Sequence, residues 1–349
     1  MVTQKQIAGI EPFNDLFYKS CFFNSYFPIV RHYGKEIHHY LLNDLIVYDA
    51  GKMKREGLPD MAYIPVVEPE RIMEGQGIQA LRKSKSDDLV GDLKTDLQAD
   101  RPVIIWVDPY FEAIRDDTYR KHHGRHSLLI YGFDDPGETF FIVEHRHRDN
   151  LSYEKQTIRY KELIDAYEGY HDSFRPGSDF SSYTAFDYDS LCGSETDGFQ
   201  GKRLEDFVRK MGENYGPIAE GLDQLKVYIR SLEGAATAPE RLSSDHEAVL
   251  KGLNRILNAK QVDRYRLAAF MEAGSSPLRL MDTIIEHWTF VRRTTAKQFF
   301  SGIFRPDAFA ETIRKLNELY RLEQEFWRLL FQPFGLRPDM KTSEGENIG

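Results

Sequence analysis

The spacing of apolar residues changes period once, near residue 200, and this constrains the fold more than any single motif. Before that point, short runs of β-branched and aromatic residues recur between turn signals. They are RPVIIWVDPYF from Arg101, HSLLIYGFDD from His126 and ETFFIVEHR from Glu138. Such runs read as buried strands. Asp134-Asp135-Pro136-Gly137 joins two of them as a hairpin turn. KQTIRY adds a strand, YKELIDAYEGY a short helix, and residues 68–99 read as helical in pieces. LLNDLIVYDAG fits either a helix or a strand. From Arg203 onward four long stretches are helical nearly throughout, separated by Gly, Ser or Pro. Ser243 to Glu247 and Ser276-Pro277 make helix starts. The expected class is α+β: a sheet-containing domain at 1–190, then an all-helical bundle at 200–340. Between them lies a Ser-, Gly- and Asp-rich connector in which FSSYTAFDYD returns as a strand. Trp288, Phe290, Phe299, Phe300, Phe326 and Trp327 read as bundle core, and the tail after Pro333 as frayed.

Composition narrows the function. The chain has 349 residues, 41% of them hydrophobic, which suits two domains with real cores. A net charge of −9 opposes phosphate binding, so no nucleic-acid partner is expected. No apolar run approaches the roughly 20 residues that cross a bilayer, so no membrane partner is expected either. The start, MVTQKQIAGIEPF, lacks the basic and apolar regions of a signal peptide, and a cytoplasmic location is the expectation. Two cysteines, Cys21 and Cys192, give no disulfide framework but allow a reactive thiol.

FYKSCFFNSYFPIVRHYG places Cys21 at the start of an apolar helix, with Phe22, Phe23, Tyr26, Phe27, Ile29, Val30 and Tyr33 at helical spacing. Gly34 suits the C-terminal cap, and Pro28 predicts a kink or a second segment. A hundred residues later, HHGRHSLLIYGFDD sets His126 at the mouth of a strand. A thiol at a helix N-terminus, facing a base from a later antiparallel sheet, is how papain-like cysteine enzymes are built. An unperturbed thiol has a pKa of about 8.5, and the helix end and an imidazolium at His126 would both lower it. The alternative is that Cys21 is a small buried hydrophobe. Glu144, at the end of the strand paired with that of His126, could orient the imidazole, or be a surface residue. The Cys21 amide and Asn14 are oxyanion donors on this reading, although Asn14 also suits a turn. Asp108 could bind a cationic acceptor or close a strand-end turn. His122, His123, His145 and His147 surround His126, but their spacing matches no tight structural zinc motif, and no metal is assigned.

At these residues the chain resembles the butirosin-biosynthesis protein H family, through SCFFNSYFPIVRHYG, HSLLIYGFDD and FFIVEHR over roughly residues 10–190. That family belongs to the papain-like superfamily, is related to the peptidase domains of bacteriocin exporters, and carries an all-helical C-terminal domain. The resemblance implies an acyltransferase of secondary metabolism, nonribosomal peptide or polyketide. It would move an acyl group from a carrier-protein thioester, through an acyl-cysteine, to an amine. Cys21 would match the nucleophile and His126 the base, while the family's usual Asp is replaced here by Glu144. Peptidase relatives carry Gln six residues before the nucleophile, where this chain has Asp15, which argues against ordinary proteolysis. The implied partners are an acyl- or peptidyl-carrier protein, with phosphopantetheine as the donor arm, and a small amine; the helical domain could supply a lid, the carrier dock or the contact of a homodimer. No bound cofactor is expected. Arg292, Arg293 and Lys297 could meet an acidic carrier helix or a pantetheine phosphate, or form a solvated face. Two rivals stand beside this reading: a cysteine hydrolase (thioesterase, amidase or peptidase) using the same residues, and a non-enzyme that keeps the fold as an interaction module for a synthetase, with the helical domain docking the partner.

Overall fold

The computed structural model describes residues 3–147, 151–177, 179–189, 204–235 and 246–335. In chain order the elements are β1 (Gln4–Gln6), α1 (Cys21–His32), α2 (His38–Leu41), β2 (Asp44–Tyr48) and α3 (Ala50–Glu56). Next come β3 (Met61–Pro65), α4 (Pro69–Gly75), β4 (Ile78–Lys83), α5 (Leu89–Gln98), β5 (Val103–Val107), β6 (His126–Asp134), β7 (Thr139–Glu144) and β8 (Glu154–Arg159). They are followed by α6 (Tyr160–Phe174), β9 (Tyr183–Tyr188), α7 (Leu204–Glu213), α8 (Tyr215–Ala235), α9 (His246–Ala268), α10 (Ser276–Ser301) and α11 (Pro306–Phe331). No described helix is long and apolar enough to cross a membrane.

The chain forms two compact units, 1–37 with 68–199, and 38–67 with 200–349. The first is built on a seven-stranded sheet in the order β4-β9-β5-β6-β7-β8, with β1 added to β6. Every pairing is antiparallel. The sheet contains the strands the sequence anticipates, β5 to β9, with β1 and β4 added. β4 forms where the sequence suggests only helix, and β9 threads between β4 and β5, returning the connector to the sheet. A bulge between Ile130 and Gly132 lets β1 lie close: a Cβ on Gly132 would meet the Lys5 carbonyl at 2.5 Å.

α1 packs on β6 and β5. Its Tyr26, Phe27, Ile29 and Val30 are fully buried, each contributing about 1.5–3 kcal/mol of burial energy. The helix runs through Pro28 without starting a second segment. It stops where Gly34 takes a left-handed φ of 66° and donates to the Arg31 carbonyl. This is the helix-on-antiparallel-sheet arrangement expected of a papain-like domain.

The second unit is helical apart from the β2–β3 hairpin. Residues 38–67, which the sequence places within the first domain, group with the helices instead. β2 is buried along its whole length, with α8 and α9 packed against it. A fully buried strand cannot be told from a buried helix by periodicity, which is why LLNDLIVYDAG is ambiguous as sequence. In this core Lys260 pairs with Glu323 at 2.7 Å, Tyr48 donates to Glu323 at 2.7 Å, and Trp288 donates to Tyr48 at 3.1 Å. Trp288, Phe326 and Trp327 are core as expected. Phe290 and Phe299 are only half-buried, and Phe300, at 85% exposure, lies on the surface. Arg292 bonds Asn254, while Arg293 and Lys297 are exposed. Ser243 to Asp245, Cys192 and the tail beyond residue 335 lie outside the described residues.

Candidate active site

Cys21 is the first residue of α1, after Lys19 in a left-handed turn (φ 55°) and Ser20 in extended conformation. That position gives its sulfur the positive end of the helix, and its backbone N–H has no carbonyl four residues back within the helix. Asn24, one turn on, donates to the carbonyls of Phe13 and Leu16, which ties the preceding loop to α1. His126 opens β6 and Glu144 ends β7, so the hairpin brings the two side chains to the same end of the sheet.

The structure brings these three residues together. His126 Nε2 lies 2.7 Å from Glu144 Oε2, and both side chains are buried. The remaining nitrogen, Nδ1, is left for the hydrogen bond between His126 and Cys21. Burial pushes the Cys21 thiol up, but the hydrogen bond and charge of His126 outweigh it. Ser127 adds bonds from its hydroxyl and its backbone, and the thiol ends below its ordinary value. Burial alone would lower His126. The charge of Glu144 and the bonds to Cys21 and Glu144 reverse that and bring its pKa to about 10. Burial would likewise raise Glu144, but His126 and then Arg115 hold it below the usual carboxylate range. The favoured state is thiolate, imidazolium and carboxylate in series. A partly accessible sulfur in that state is a nucleophile at neutral pH.

Sequence reasoning missed two members of the site. Arg115 is buried, with Nη1 3.4 Å from Glu144 Oε1 and a two-pronged pair to Asp117 at 3.1 Å on each arm. Ser127 completes the sulfur's surroundings and also meets Ser25, one turn along α1 from Cys21, at 3.2 Å. Nothing in IRDD or HSLL marks either residue, because only the folded sheet brings them to the thiol.

Two expected residues do other work. Asn14 donates to the Tyr153 carbonyl at 2.9 Å and accepts from the Tyr153 N–H at 2.8 Å, so it latches the N-terminal loop to the chain before β8. Asp15 pairs with Arg31 at 2.7 Å. Asp108 is fully buried and accepts from the Tyr110 and Gly124 amides, from Ser173 Oγ at 3.1 Å, and bonds His123 Nδ1 at 2.6 Å. A carboxylate so committed closes a strand-end turn and is not an acceptor-binding group. Of the other histidines, His123 stacks on Tyr110 and His147 lies 3.8 Å from Asp116, while His145 stacks on Tyr153 and stays beside the site, its ring 5.5 Å from that of His126 and its Nε2 3.4 Å from Glu144 Oε1. Among the described residues, His126, Glu144 and His145 alone bring ligand-type atoms within 4.8 Å of one another. Arg115 and the His145 N–H already occupy that carboxylate, so its charge is spent within the protein.

A family model described as "Butirosin biosynthesis protein H, N-terminal" matches residues 71–145. The matched span contains His126 and Glu144 and begins after Cys21. No curated protein matches the chain. Over that span, about a fifth of the chain, the protein is similar to the butirosin biosynthesis protein H family.

Proposed function

We propose that the chain is a cysteine-dependent acyltransferase of antibiotic or related secondary-metabolite biosynthesis. It would take an acyl or aminoacyl group from a carrier-protein thioester and deliver it to an amine. The observation that carries this reading is the series of a partly accessible Cys21 with buried His126 and Glu144, in which the thiol is depressed and the imidazole held protonated. The family match supplies the biosynthetic setting.

The Cys21 thiolate attacks the thioester carbonyl, and the negative oxygen that forms lies toward the N–H groups at the start of α1. Collapse breaks the C–S bond to pantetheine, the departing thiolate takes the proton from His126, and acyl-Cys21 remains. The neutral imidazole then takes a proton from the attacking amine. The second tetrahedral intermediate breaks its bond to Cys21, restoring the thiolate and the imidazolium. Glu144 stays ionised throughout and holds the ring through Nε2, with Arg115 and the His145 N–H fixing its other oxygen.

The test is to supply acyl-pantetheine thioesters, free and on a carrier protein, with a panel of small amines and to separate amide from free acid. Amide formation lost in Cys21→Ala is expected. Free acid alone, with every amine, would replace transfer by hydrolysis, and no turnover of any thioester would overturn the reading.

A further inference from the structure

Beside this series sits a second carboxyl group that the mechanism above does not use. Glu112 is fully buried, and both of its carboxyl oxygens lack a hydrogen-bond partner among the described residues. Buried polar groups are nearly always paired, and one left unpaired at a reactive site calls for a role. Its position is fixed by a tight turn after β5. The Glu112 N–H donates to the Pro109 carbonyl, and the Arg115 N–H donates to the Glu112 carbonyl at 3.0 Å. The turn therefore sets Glu112 three residues before Arg115, whose Nη1 lies 3.4 Å from Glu144 Oε1, and the charges of Glu144 and Arg115 act on the buried Glu112 carboxyl. The charged groups acting on Glu112 are Glu144 of β7, His126 of β6, Arg115 of its own turn and Glu162 of α6. Beyond Glu144 stand His145, Tyr153 and Cys21. Arg115 is shared unevenly: two short bonds go to Asp117 and one of 3.4 Å to Glu144. That long bond is the one a second carboxylate could take.

We propose that Glu112 is a positioning residue of this site, acting through Arg115 and Glu144. As the uncharged acid it leaves Arg115 to Glu144, and as the anion it competes for Arg115 and adds negative charge near His126. The inference rests on Cys21, His126 and Glu144 being the reacting groups. Burial, with the Glu144 charge, brings the Glu112 pKa to about 8, so the exchange falls within ordinary buffers. An added negative charge makes the Cys21 thiolate more basic, hence more nucleophilic, with a Brønsted slope of about 0.4–0.5. A rise of one unit in thiol pKa then means roughly threefold faster attack.

The test is the rate of Cys21 alkylation by iodoacetamide in the full chain from about pH 6 to pH 9, read by peptide mass so that Cys192 is scored separately. Wild type is compared with Glu112→Gln, which keeps the shape of the neutral acid. The ratio of wild-type to E112Q rates should be near one at the acid end and change roughly threefold, centred near pH 8. A ratio that stays constant overturns the inference while leaving Cys21 reactive. An unreactive wild-type Cys21 overturns the acyltransferase reading and the inference with it. If E112Q does not fold, Glu112→Asp, which withdraws the carboxyl by one methylene, must move the break in the profile. A break that does not move overturns the inference equally.

Discussion

Replacing Glu144 by Gln changes little in shape and removes the charge on which the site is organised. Glu144 Oε1 accepts from the His145 N–H at 2.6 Å and faces Arg115, both of which are donors. The Gln carbonyl must therefore occupy the Oε1 side, turning its NH2 toward His126 Nε2. That nitrogen then accepts, the ring proton moves to Nδ1, and the imidazolium loses its counter-charge. The pKa of His126 falls from about 10 toward 6.5, and the Cys21 thiol returns toward 9.0. At pH 6 a thiol of that pKa is ionised in about one molecule in 10³. Its greater basicity recovers part of that, for a slope of about 0.4–0.5, leaving a net loss on the order of tenfold. The assay is the second-order rate of iodoacetamide alkylation of Cys21 in wild type and E144Q at pH 6 and pH 9. The deficit should be clear at pH 6 and gone or reversed at pH 9, because raising the pH supplies the thiolate that His126 no longer supports and the more basic sulfur attacks faster. An E144Q rate within about threefold of wild type at pH 6 would refute this chain of reasoning.

Asn14→Ala should cost about 1–3 kcal/mol in denaturant unfolding by breaking both bonds to Tyr153. Because the residue is a latch and not an oxyanion donor, Cys21 alkylation and any acyl transfer should change by less than about threefold. Gly132→Ala should destabilise by about 2 kcal/mol or more, since the new Cβ meets the β1 backbone; loss of hydrogen-exchange protection at β1 would report it. Lys260→Met should cost about 3 kcal/mol by leaving Glu323 buried without its cation. An unchanged denaturation midpoint would show that Tyr48 alone satisfies that carboxylate.

The parts of this fold that are legible in the sequence are those set by local rules. The apolar stripe of α1, its glycine stop, the turn at Asp134 to Gly137 and the β-branched runs of β5, β6 and β7 each declare themselves within a dozen residues. Cys21 and His126 follow, because a helix start and a strand mouth are local positions. Glu144 is reachable because hairpin pairing relates β7 to β6. What stays hidden depends on distant packing. The move of residues 38–67 into the helical unit, the insertion of β9 between β4 and β5, and the arrival of Arg115 and Glu112 near Glu144 all depend on the assembled core. Asn14 and Asp108 fail as site residues because backbone groups claim both. Asp108 is claimed by the Tyr110 amide two residues on and by the Gly124 amide, the bonding Asp favours at turns, whereas Asn14 is claimed by Tyr153, which only the folded chain brings near.

The central claim, that Cys21 carries an acyl group through the reaction, is tested most directly by intact-protein mass spectrometry after mixing the chain with acyl-pantetheine thioesters. The account predicts a mass gain equal to the acyl group, absent in Cys21→Ala, located on the Cys21 peptide and discharged when an accepting amine is added. A gain that persists in Cys21→Ala, or no gain with any thioester while the protein remains folded, would contradict it.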